Sequence, residues 1–282
     1  MNRYDIEKII RNALAEDIGS GDVTTSAIIA DNLKGIGKFL AKQNGIAAGL
    51  EIVEILFKIF DSNLIFTKKT IYGEKIQAGQ IIAEVEGSAS SILTAERTAL
   101  NFLQRMSGIA TLTNSYIEKI RHTKAKILDT RKTVPGLREL DKLAVKIGGG
   151  TNHRIGLYDM FLIKDNHIAV AGSITKAVED CKDFKLKNNF NYKIEVETTN
   201  LQQVEEALNC NVDFIMLDNF QLPEMKRAVE FIGGKCLIEA SGGIDLITVK
   251  DIAETGVDFI SVGALTHSVK ALDISLDVKI SK

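Results

Sequence analysis

The second half of the chain alternates between short β-rich runs and amphipathic helical stretches, and this alternation constrains the fold more than any other feature. Apolar residues recur with helical spacing between successive β-rich runs. Strands separated by crossover helices pair in parallel. The predicted strands cover residues 126–129, 160–163, 193–196, 214–217, 236–239 and 259–262, and the predicted helices cover 137–147, 174–187, 201–209, 223–232 and 246–254.

Two architectures fit six parallel strands. One is an α/β barrel, for which six strands are one or two short of closure, and the other is a doubly wound sheet. We expect the barrel, because strands are easily missed in a single sequence. The first third of the chain has a mixed pattern instead. It predicts a long helix over 93–120, interrupted near Gly108, and a hairpin of two short strands over 71–87 around Gly79.

Composition excludes several classes of protein. The 282 residues are 45% hydrophobic, which suffices for one large core or two smaller ones. The net charge is -2, from 35 Lys plus Arg and 37 Asp plus Glu, whereas nucleic-acid binders usually carry a basic surplus. We find no apolar run of about 18 residues and no signal-peptide pattern. With 3 scattered cysteines, these features predict a cytoplasmic protein with reduced thiols and no nucleic-acid or membrane partner.

Polar residues follow the predicted strands at the point where each strand ends. Arg131 and Lys132 follow the first strand, Lys164 the second, Glu197 the third and Asp218 the fourth. Active sites of α/β barrels are built at this C-terminal edge of the strands. A stabilising role alone would not require charged residues at the same edge of successive strands. The pattern therefore predicts a functional site before any family is considered.

The residue types at this edge describe the ligand. His153 and Arg154 lie in the glycine-rich segment GGGTNHR, and Arg97 lies in the helix that precedes the strands. Arginine offers a planar fork that matches carboxylates and phosphates, and lysine offers a compact charge. So many cations would repel one another without an anion between them. The predicted ligand therefore carries several negative charges.

Glu197 and Asp218 are predicted to face the same mouth from neighbouring strands. Two carboxylates near phosphates suit Mg²⁺, held directly or through water, and they could also stabilise positive charge in a transition state. Small residues follow the last two strands, where they let backbone N–H groups approach a phosphate closely. These residues are Ser241, Gly242, Gly243 and Gly263.

Segments throughout the chain resemble the signature blocks of one family, the quinolinate phosphoribosyltransferases. The blocks occur in the family's order with comparable spacing, so the resemblance spans nearly the whole chain. They are GDVTT, TAERTALNFLQRMSGIAT, ILDTRKTVPGLR, GGGTNHRIGL, LIKDNH, EVE, LDN, ASGG, VGALTHS and VKALDISLDVK.

The resemblance implies a reaction and a domain organisation. The family joins quinolinate to phosphoribosyl pyrophosphate with decarboxylation, and the products are nicotinate mononucleotide, pyrophosphate and CO₂, a step of NAD biosynthesis. It has an N-terminal α/β sandwich, here expected over 1–108, and an incomplete α/β barrel, here expected over 109–270, with 271–282 packing back on the sandwich. The resemblance also implies Mg²⁺ with the phosphoribosyl donor, no organic cofactor and a homodimer with shared active sites, although hexamers occur in the family.

Carried over by position, the resemblance implies roles for individual residues. Lys42 would enter the partner's site, where many members have an arginine, so the charge is kept but the bidentate fork is lost. Catalysis would fall to Lys132, Lys164, Glu197 and Asp218, the last two also facing the metal. The implied substrate-binding residues are Arg97, Thr130, Arg131, Lys132, His153, Arg154, Lys164, Glu197, Asp218, Ser241, Gly242, Gly243 and Gly263.

Three other functions remain open. Lys164 at a strand end could be the Schiff-base lysine of a lyase, which requires a desolvated amine. A barrel that only binds a phosphorylated metabolite would leave Glu197 and Asp218 without a purpose. A relative with a changed substrate, such as a nicotinate phosphoribosyltransferase or the related proteins of molybdate-transport operons, would meet one carboxylate instead of two. His167 either belongs to the site or only orients Lys164 or a loop.

Overall fold

The computed structural model describes residues 3–30 and 32–280. The chain folds into two compact units, and each unit is assembled from separate segments. The first unit comprises residues 1–114, 133–149 and 266–282, and the second comprises residues 115–132 and 150–265. The domain boundary expected after residue 108 stays a prediction.

Helices and strands follow one another along the described chain in a mixed order. In the N-terminal part they are α1 (Arg3–Ile18), α2 (Val23–Ile28), β1 (Lys34–Ala41), β2 (Gly45–Ile46), α3 (Leu50–Phe60), β3 (Ile65–Lys68), β4 (Lys75–Ile76), β5 (Ile81–Ser88) and α4 (Ala89–Ile120). Then come β6 (Lys126–Leu128), α5 (Arg138–Ile147), β7 (Phe161–Ile163), α6 (Asp165–Ala171), α7 (Ile174–Lys187), β8 (Ile194–Thr198), α8 (Leu201–Asn209), β9 (Phe214–Asp218), α9 (Leu222–Ile232), β10 (Leu237–Ser241), α10 (Val249–Ala253), β11 (Phe259–Ser261), α11 (Ala264–His267) and β12 (Ile274–Ile280).

The first unit is built on an antiparallel sheet with the strand order β12–β1–β5–β3. Along β1, exposed or half-buried residues alternate with buried ones, as expected for a strand with one face on the core. Helix α3 covers that face, and its Phe57 ring lies 6.2 Å from Phe39 and 5.9 Å from Phe66. Three interlocking aromatic rings therefore join α3 to the sheet.

The two strands predicted over 71–87 form as β4 and β5, but they do not pair as a hairpin. β4 pairs with β2, while β5 lies between β1 and β3. The turn between β4 and β5 is tight, because the Gln80 N–H donates to the Gln77 carbonyl at 3.1 Å and Gly79 has a φ of +87°. The hairpin prediction is therefore wrong: the residues of a turn are local, but strand partners are chosen by packing of the whole sheet.

Helix α4 begins earlier than predicted and is not interrupted at Gly108. A Cβ atom at this position would lie 2.3 Å from the carbonyl oxygen of Lys270. The chain near Leu272 runs along the helix here, and its N–H donates to the Gln104 carbonyl at 3.0 Å. Gly108 thus permits a close approach of two backbones. Although α4 spans 32 residues, neither it nor any other helix in the described part of the chain is apolar enough to cross a membrane.

The second unit contains a parallel sheet of six strands among the described residues, in the order β6–β11–β10–β9–β8–β7. Its first strand along the chain pairs with its last, Ile127 of β6 lying opposite Ile260 of β11. Such pairing requires the sheet to curl round on itself, whereas a doubly wound sheet keeps its first strand in the interior. The prediction of an incomplete α/β barrel is confirmed, and the barrel is open between β6 and β7.

We expect Gly108→Ala to lower the free energy of unfolding by about 1–3 kcal/mol, because the new methyl group meets backbone atoms that cannot rotate away. Helix propensity alone would act in the opposite direction, by about 1 kcal/mol. Asn101→Ala, at an exposed position of the same helix, is the matched control and should be neutral or slightly stabilising. Urea unfolding measures both variants, and a Gly108→Ala protein as stable as the wild type would contradict this account.

Candidate active site

The second unit gathers charged and small residues at the carboxyl edge of its strands. Lys164 follows β7 directly, and Glu197 and Asp218 lie within the last residues of β8 and β9. The parallel register puts Asp218 opposite Ser241, the last residue of β10. Residues far apart in the sequence therefore share one edge of the barrel, which is the edge where such folds place their chemistry.

Lys164 and Glu197 form an ion pair across neighbouring strands. The Lys164 Nζ lies 2.5 Å from the Glu197 Oε2, and the two side chains are 44% and 13% exposed. The pair is therefore open to solvent on the lysine side, where an anionic ligand could reach it. A Schiff-base lysine needs a desolvated neutral amine. An amino group that faces a carboxylate and solvent does not meet this requirement, so the contact disfavours the lyase.

His167 holds the backbone of Lys164. Its Nδ1 accepts a hydrogen bond from the Lys164 N–H at 2.9 Å, at the start of helix α6. This contact favours the interpretation in which His167 orients the lysine. Sequence patterns did not predict α6, because its seven residues are too few for a clear helical period.

Asp129 ties the glycine-rich loop to the end of β6. Its buried carboxylate accepts hydrogen bonds from the Asn152 side-chain amide at 2.5 Å and from the His153 N–H at 2.9 Å. Thr151 adds a parallel bridge to Leu128, and its N–H donates to the Ile127 carbonyl at 2.8 Å. The loop thereby lies along β6 on the open side of the barrel. This places His153 and Arg154 beside the strand edge.

Arg131 and Arg154 lie close enough to interact electrostatically. Burial lowers the pKa of Arg154, and the positive charge of Arg131 lowers it further. Arg154 is held in place by the Met160 carbonyl, which accepts a hydrogen bond from its Nη1 at 3.1 Å. Two guanidinium groups within electrostatic reach of each other are suited to a ligand with more than one negative charge.

A buried cluster of polar side chains lies next to this loop. His153 Nε2 is 3.1 Å from Glu195 Oε2 and 3.4 Å from Glu239 Oε2, and the Ser261 hydroxyl donates to Glu239 Oε1. The side chains of His153, Glu195 and Glu239 are 8%, 0% and 2% exposed. We call these four residues the buried acid cluster. The first three are the only set of His, Cys, Asp and Glu in the described residues with the spacing of a metal site.

The protonation of His153 depends on two sets of contacts with opposite effects, one at each ring nitrogen. Burial lowers the pKa of His153, but hydrogen bonds to the two glutamates outweigh it and raise the pKa to about 10. The Arg154 N–H donates to Nδ1 at 2.7 Å, and a proton on Nδ1 would break that bond, so this arrangement holds the neutral ring despite the pull of the glutamates. In both charge states Nε2 carries a hydrogen toward the carboxylates. Burial and the neighbouring Glu239 raise the pKa of Glu195 to about 7.

The sequence analysis missed Asp129, Asn152, Glu195 and Glu239. A signal was present for the glutamates, since each interrupts an apolar strand and lies two residues before a predicted site residue, Glu197 or Ser241. Residues two apart on a strand share a face. Both glutamates therefore belong on the same inner face as the site. Asp129 follows β6 directly, and its position in the run ILDTRK indicated the end of a strand but no contact with the glycine-rich loop.

The loops after β9 and β10 interlock through small residues. Asn219 has a φ of +58° and its N–H donates to the Ser241 carbonyl at 2.8 Å. A Cβ atom on Gly242 would lie 2.2 Å from the Asn219 Oδ1, and Gly242 itself has a φ of +99°. Glycine is therefore required at 242 by both space and backbone conformation. Gly243 shares the left-handed conformation, with a φ of +60°.

The remaining predicted residues lie in several places. The Lys132 N–H donates to the Thr130 hydroxyl at 3.0 Å, which shapes the turn after β6. Gly263 follows β11 in the second unit. Arg97, on α4, and Lys42, after β1, belong to the first unit, and their roles stay predictions.

An α/β barrel that collects guanidinium and ammonium groups at its carboxyl edge defines a class of protein, the barrel enzymes that act on substrates with several negative charges. Comparisons with known proteins narrow this class. The models of the quinolinate phosphoribosyl transferase N-terminal and C-terminal domains match residues 22–107 and 109–277. The chain therefore belongs to the quinolinate phosphoribosyltransferase family.

Individual relatives support this assignment over the full chain. The chain is 46% identical to the chloroplastic nicotinate-nucleotide pyrophosphorylase (carboxylating) of Oryza sativa subsp. japonica, over 98% of this chain and 78% of that one. It is 42% identical to the probable nicotinate-nucleotide pyrophosphorylase (carboxylating) of Bacillus subtilis (strain 168), over 100% and 96%. The solved structure of the nicotinate-nucleotide pyrophosphorylase from Francisella tularensis superimposes with a TM-score of 0.92 at 42% identity, over 99% and 98%.

We expect Asp129→Asn to destabilise the protein by about 1–3 kcal/mol, because the new amide group cannot accept both hydrogen bonds that reach the carboxylate. The matched control is Asp180→Asn, which alters an exposed carboxylate paired with Lys176 and should change stability by less than about 0.5 kcal/mol. Chemical denaturation compares the two variants. Equal stabilities for both would show that Asp129 does not hold the glycine-rich loop.

Proposed function

We propose that this protein transfers the phosphoribosyl group of phosphoribosyl pyrophosphate to the ring nitrogen of quinolinate and releases pyrophosphate and CO₂. The product is nicotinate mononucleotide, and the reaction is a step of NAD biosynthesis. The family membership and the names of the rice and Bacillus relatives support this reaction. The observation that carries it in the structure is the grouping of charged residues at the carboxyl edge of the barrel, where Lys164 pairs with Glu197 and Asp218 lies opposite Ser241.

The two arginines, Arg131 and Arg154, suit the two carboxylates of quinolinate. Each guanidinium can bind one carboxylate through two parallel hydrogen bonds, and the half-buried position of Arg154 strengthens such a bond by excluding water. Nicotinate, with a single carboxylate, would offer the two guanidinium groups half the negative charge of quinolinate. The charge count of the site therefore favours the dicarboxylate as substrate.

Lysines and small residues suit the phosphoribosyl donor. Lys164 lies at the open side of its ion pair with Glu197, and Lys132 is exposed after β6. Both can attract the pyrophosphate. Gly242 and Gly243 adopt the left-handed conformation in the loop after β10, and successive N–H groups of such turns are suited to a 5′-phosphate. Held in this way, both substrates lose the freedom that makes the reaction between them slow in solution.

Transfer requires charge stabilisation at the sugar. The ring nitrogen of quinolinate forms a bond to the anomeric carbon, and the bond from that carbon to the pyrophosphate oxygen breaks with its electron pair on the pyrophosphate. Positive charge develops on the sugar as the bonds exchange. The carboxylates of Glu197 and Asp218, on adjacent strands, are suited to stabilising that charge.

The same two carboxylates suit a Mg²⁺ ion. Magnesium prefers oxygen ligands and is usually held by one or two carboxylates together with substrate phosphates and water. Glu197 and Asp218 are half-buried at the strand ends, so their oxygens fit this donor set. When bound, Mg²⁺ would neutralise charge on the departing pyrophosphate.

Decarboxylation follows from the chemistry of the product ring. Once the nitrogen is bonded to the sugar it carries a positive charge next to the 2-carboxylate. The bond to that carboxylate breaks, its electron pair stays on the ring carbon beside the charged nitrogen, and a proton from solvent completes the ring. The substrate thus supplies its own electron sink, and the reaction needs no organic cofactor.

The proposal extends to the assembly and location of the protein. The family resemblance supports a homodimer in which Lys42 enters the partner's site, and the composition supports a cytoplasmic location. The Lys42 backbone is anchored, because its N–H donates to the Asp273 carbonyl at 2.9 Å.

The proposed reaction is tested by supplying purified protein with quinolinate, phosphoribosyl pyrophosphate and Mg²⁺, with nicotinate in parallel. We expect nicotinate mononucleotide and an equal amount of CO₂ with quinolinate only, because the paired arginines require two carboxylates. Chelation of Mg²⁺ should suppress the reaction. Turnover of nicotinate alone, or of neither compound, would refute the substrate assignment.

Removal of either carboxylate should slow turnover without unfolding the protein. We expect Glu197→Gln and Asp218→Asn each to lower kcat by roughly 10²–10³, the loss that follows removal of one stabilising group from a transition state. Glu205→Gln on the exposed face of α8 is the matched control and should keep wild-type kcat. Near-normal turnover in both site variants would show that the two carboxylates have no catalytic role.

A further inference from the structure

The buried acid cluster has no assigned role in the reaction described above. Its glutamates lie inside the barrel, Glu195 on β8 and Glu239 on β10, and both face His153 of the glycine-rich loop. Burial of two carboxylates carries a desolvation penalty that pairing does not always offset, and well-packed apolar residues of similar size often give equal or greater stability. Stability alone is therefore a weak reason for this cluster.

Both ring nitrogens of His153 are occupied within the protein. Nε2 faces Glu195 and Glu239 at 3.1 and 3.4 Å, and Nδ1 accepts the Arg154 N–H at 2.7 Å. These contacts make the ring a link between the barrel interior and the backbone of Arg154. They are compatible with the role that the family resemblance implies for His153, which is to line the quinolinate site.

We infer that Glu195 and Glu239 are positioning residues for quinolinate, which act through His153 to fix the backbone that carries the Arg154 guanidinium. The inference rests on the proposed function, because it assigns the anchored arginine to a quinolinate carboxylate. The Ser261 hydroxyl on β11 orients Glu239 in turn. Three strands of the barrel thus fix the direction of one guanidinium group.

The geometry explains why a loop residue needs such support. Arg154 lies on the open side of the barrel, between β6 and β7, where the sheet itself supplies no neighbouring strand. On one side of Arg154, His153 is anchored to the cluster and to Asp129. On the other side, the Arg154 side chain bonds to the Met160 carbonyl. A displacement of about 1 Å in a binding group can lower the rate roughly a hundredfold. Fixation of the loop is therefore a functional reason for burying the two carboxylates.

Steady-state kinetics of isosteric variants test the inference. We expect Glu195→Gln and Glu239→Gln each to raise the KM for quinolinate by roughly ten- to a hundredfold while the KM for phosphoribosyl pyrophosphate changes by less than about twofold. Ser261→Ala keeps both glutamates and should shift the quinolinate KM in the same direction by a smaller factor. It preserves the test if a glutamine variant fails to fold.

Two controls separate positioning from a merely structural role. Asp141→Asn alters another fully buried carboxylate, one that binds Arg105 in the first unit, and should lower the melting temperature without changing the ratio of the two KM values. In a His153→Asn background, Glu239→Gln should add less than about twofold to the quinolinate KM, because residues that act through one another are not additive. Proportional changes in both KM values, or full additivity with His153→Asn, would overturn the inference.

A spectroscopic readout tests the linkage independently of activity. The chain has 4 histidines, so proton spectra of protein labelled with ¹⁵N in its histidine rings are simple, and His153→Asn assigns the signal. We expect a slowly exchanging downfield Nε2–H signal for His153 that is lost when both glutamates are changed to glutamine. Its absence in the wild type would overturn the inference even if the enzyme proved inactive. An inactive wild type that shows the signal would refute the proposed function and the assignment to quinolinate, while the linkage from the glutamates through His153 to Arg154 would stand.

Discussion

The parallel pairing of the first and last barrel strands is the constraint on which the rest of the site depends. Because β6 pairs with β11, the sheet curls and the carboxyl ends of six strands meet around one mouth. Because β6 and β7 lie at opposite ends of the strand order, it is this curl that brings Arg131, after β6, toward Lys164, after β7. In a flat sheet of the same order these two cations would lie at opposite edges, and a single substrate could not contact them together.

The opening between β6 and β7 is where the glycine-rich loop lies against β6. Backbone bonds from Thr151 and the Asp129 carboxylate attach the glycine-rich loop to β6, and the buried acid cluster attaches it to the barrel interior. Hydrogen bonds to buried carboxylates are strong because water is excluded, but each carboxylate must be satisfied for the arrangement to hold. The loop therefore lies in the opening of the barrel and is nevertheless fixed by hydrogen bonds as a strand would be.

Sequence patterns predicted the barrel because its strands and crossover helices each have a local signature, and the strand-end residues could be read from position alone. Contacts that depend on distant residues were not predictable in this way. The 71–87 hairpin was wrong since β4 and β5 find different partners, and Gly108 resembled a helix break although it allows the chain near Leu272 to pass. Glu195 and Glu239 were missed because the role of a charged residue within an apolar strand depends on the loop that contacts it, and that contact cannot be read from the strand's own sequence.

Recognition of two carboxylates on one ring by the barrel edge can be measured as binding, without catalysis. Isothermal titration calorimetry with benzene-1,2-dicarboxylate and with benzoate compares ligands that lack the reactive nitrogen and differ by one carboxylate. The account predicts that the dicarboxylate binds at least about tenfold more tightly, which corresponds to about 1.4 kcal/mol. Equal affinities, or tighter binding of benzoate, would contradict it, because the second arginine would then have no carboxylate to bind.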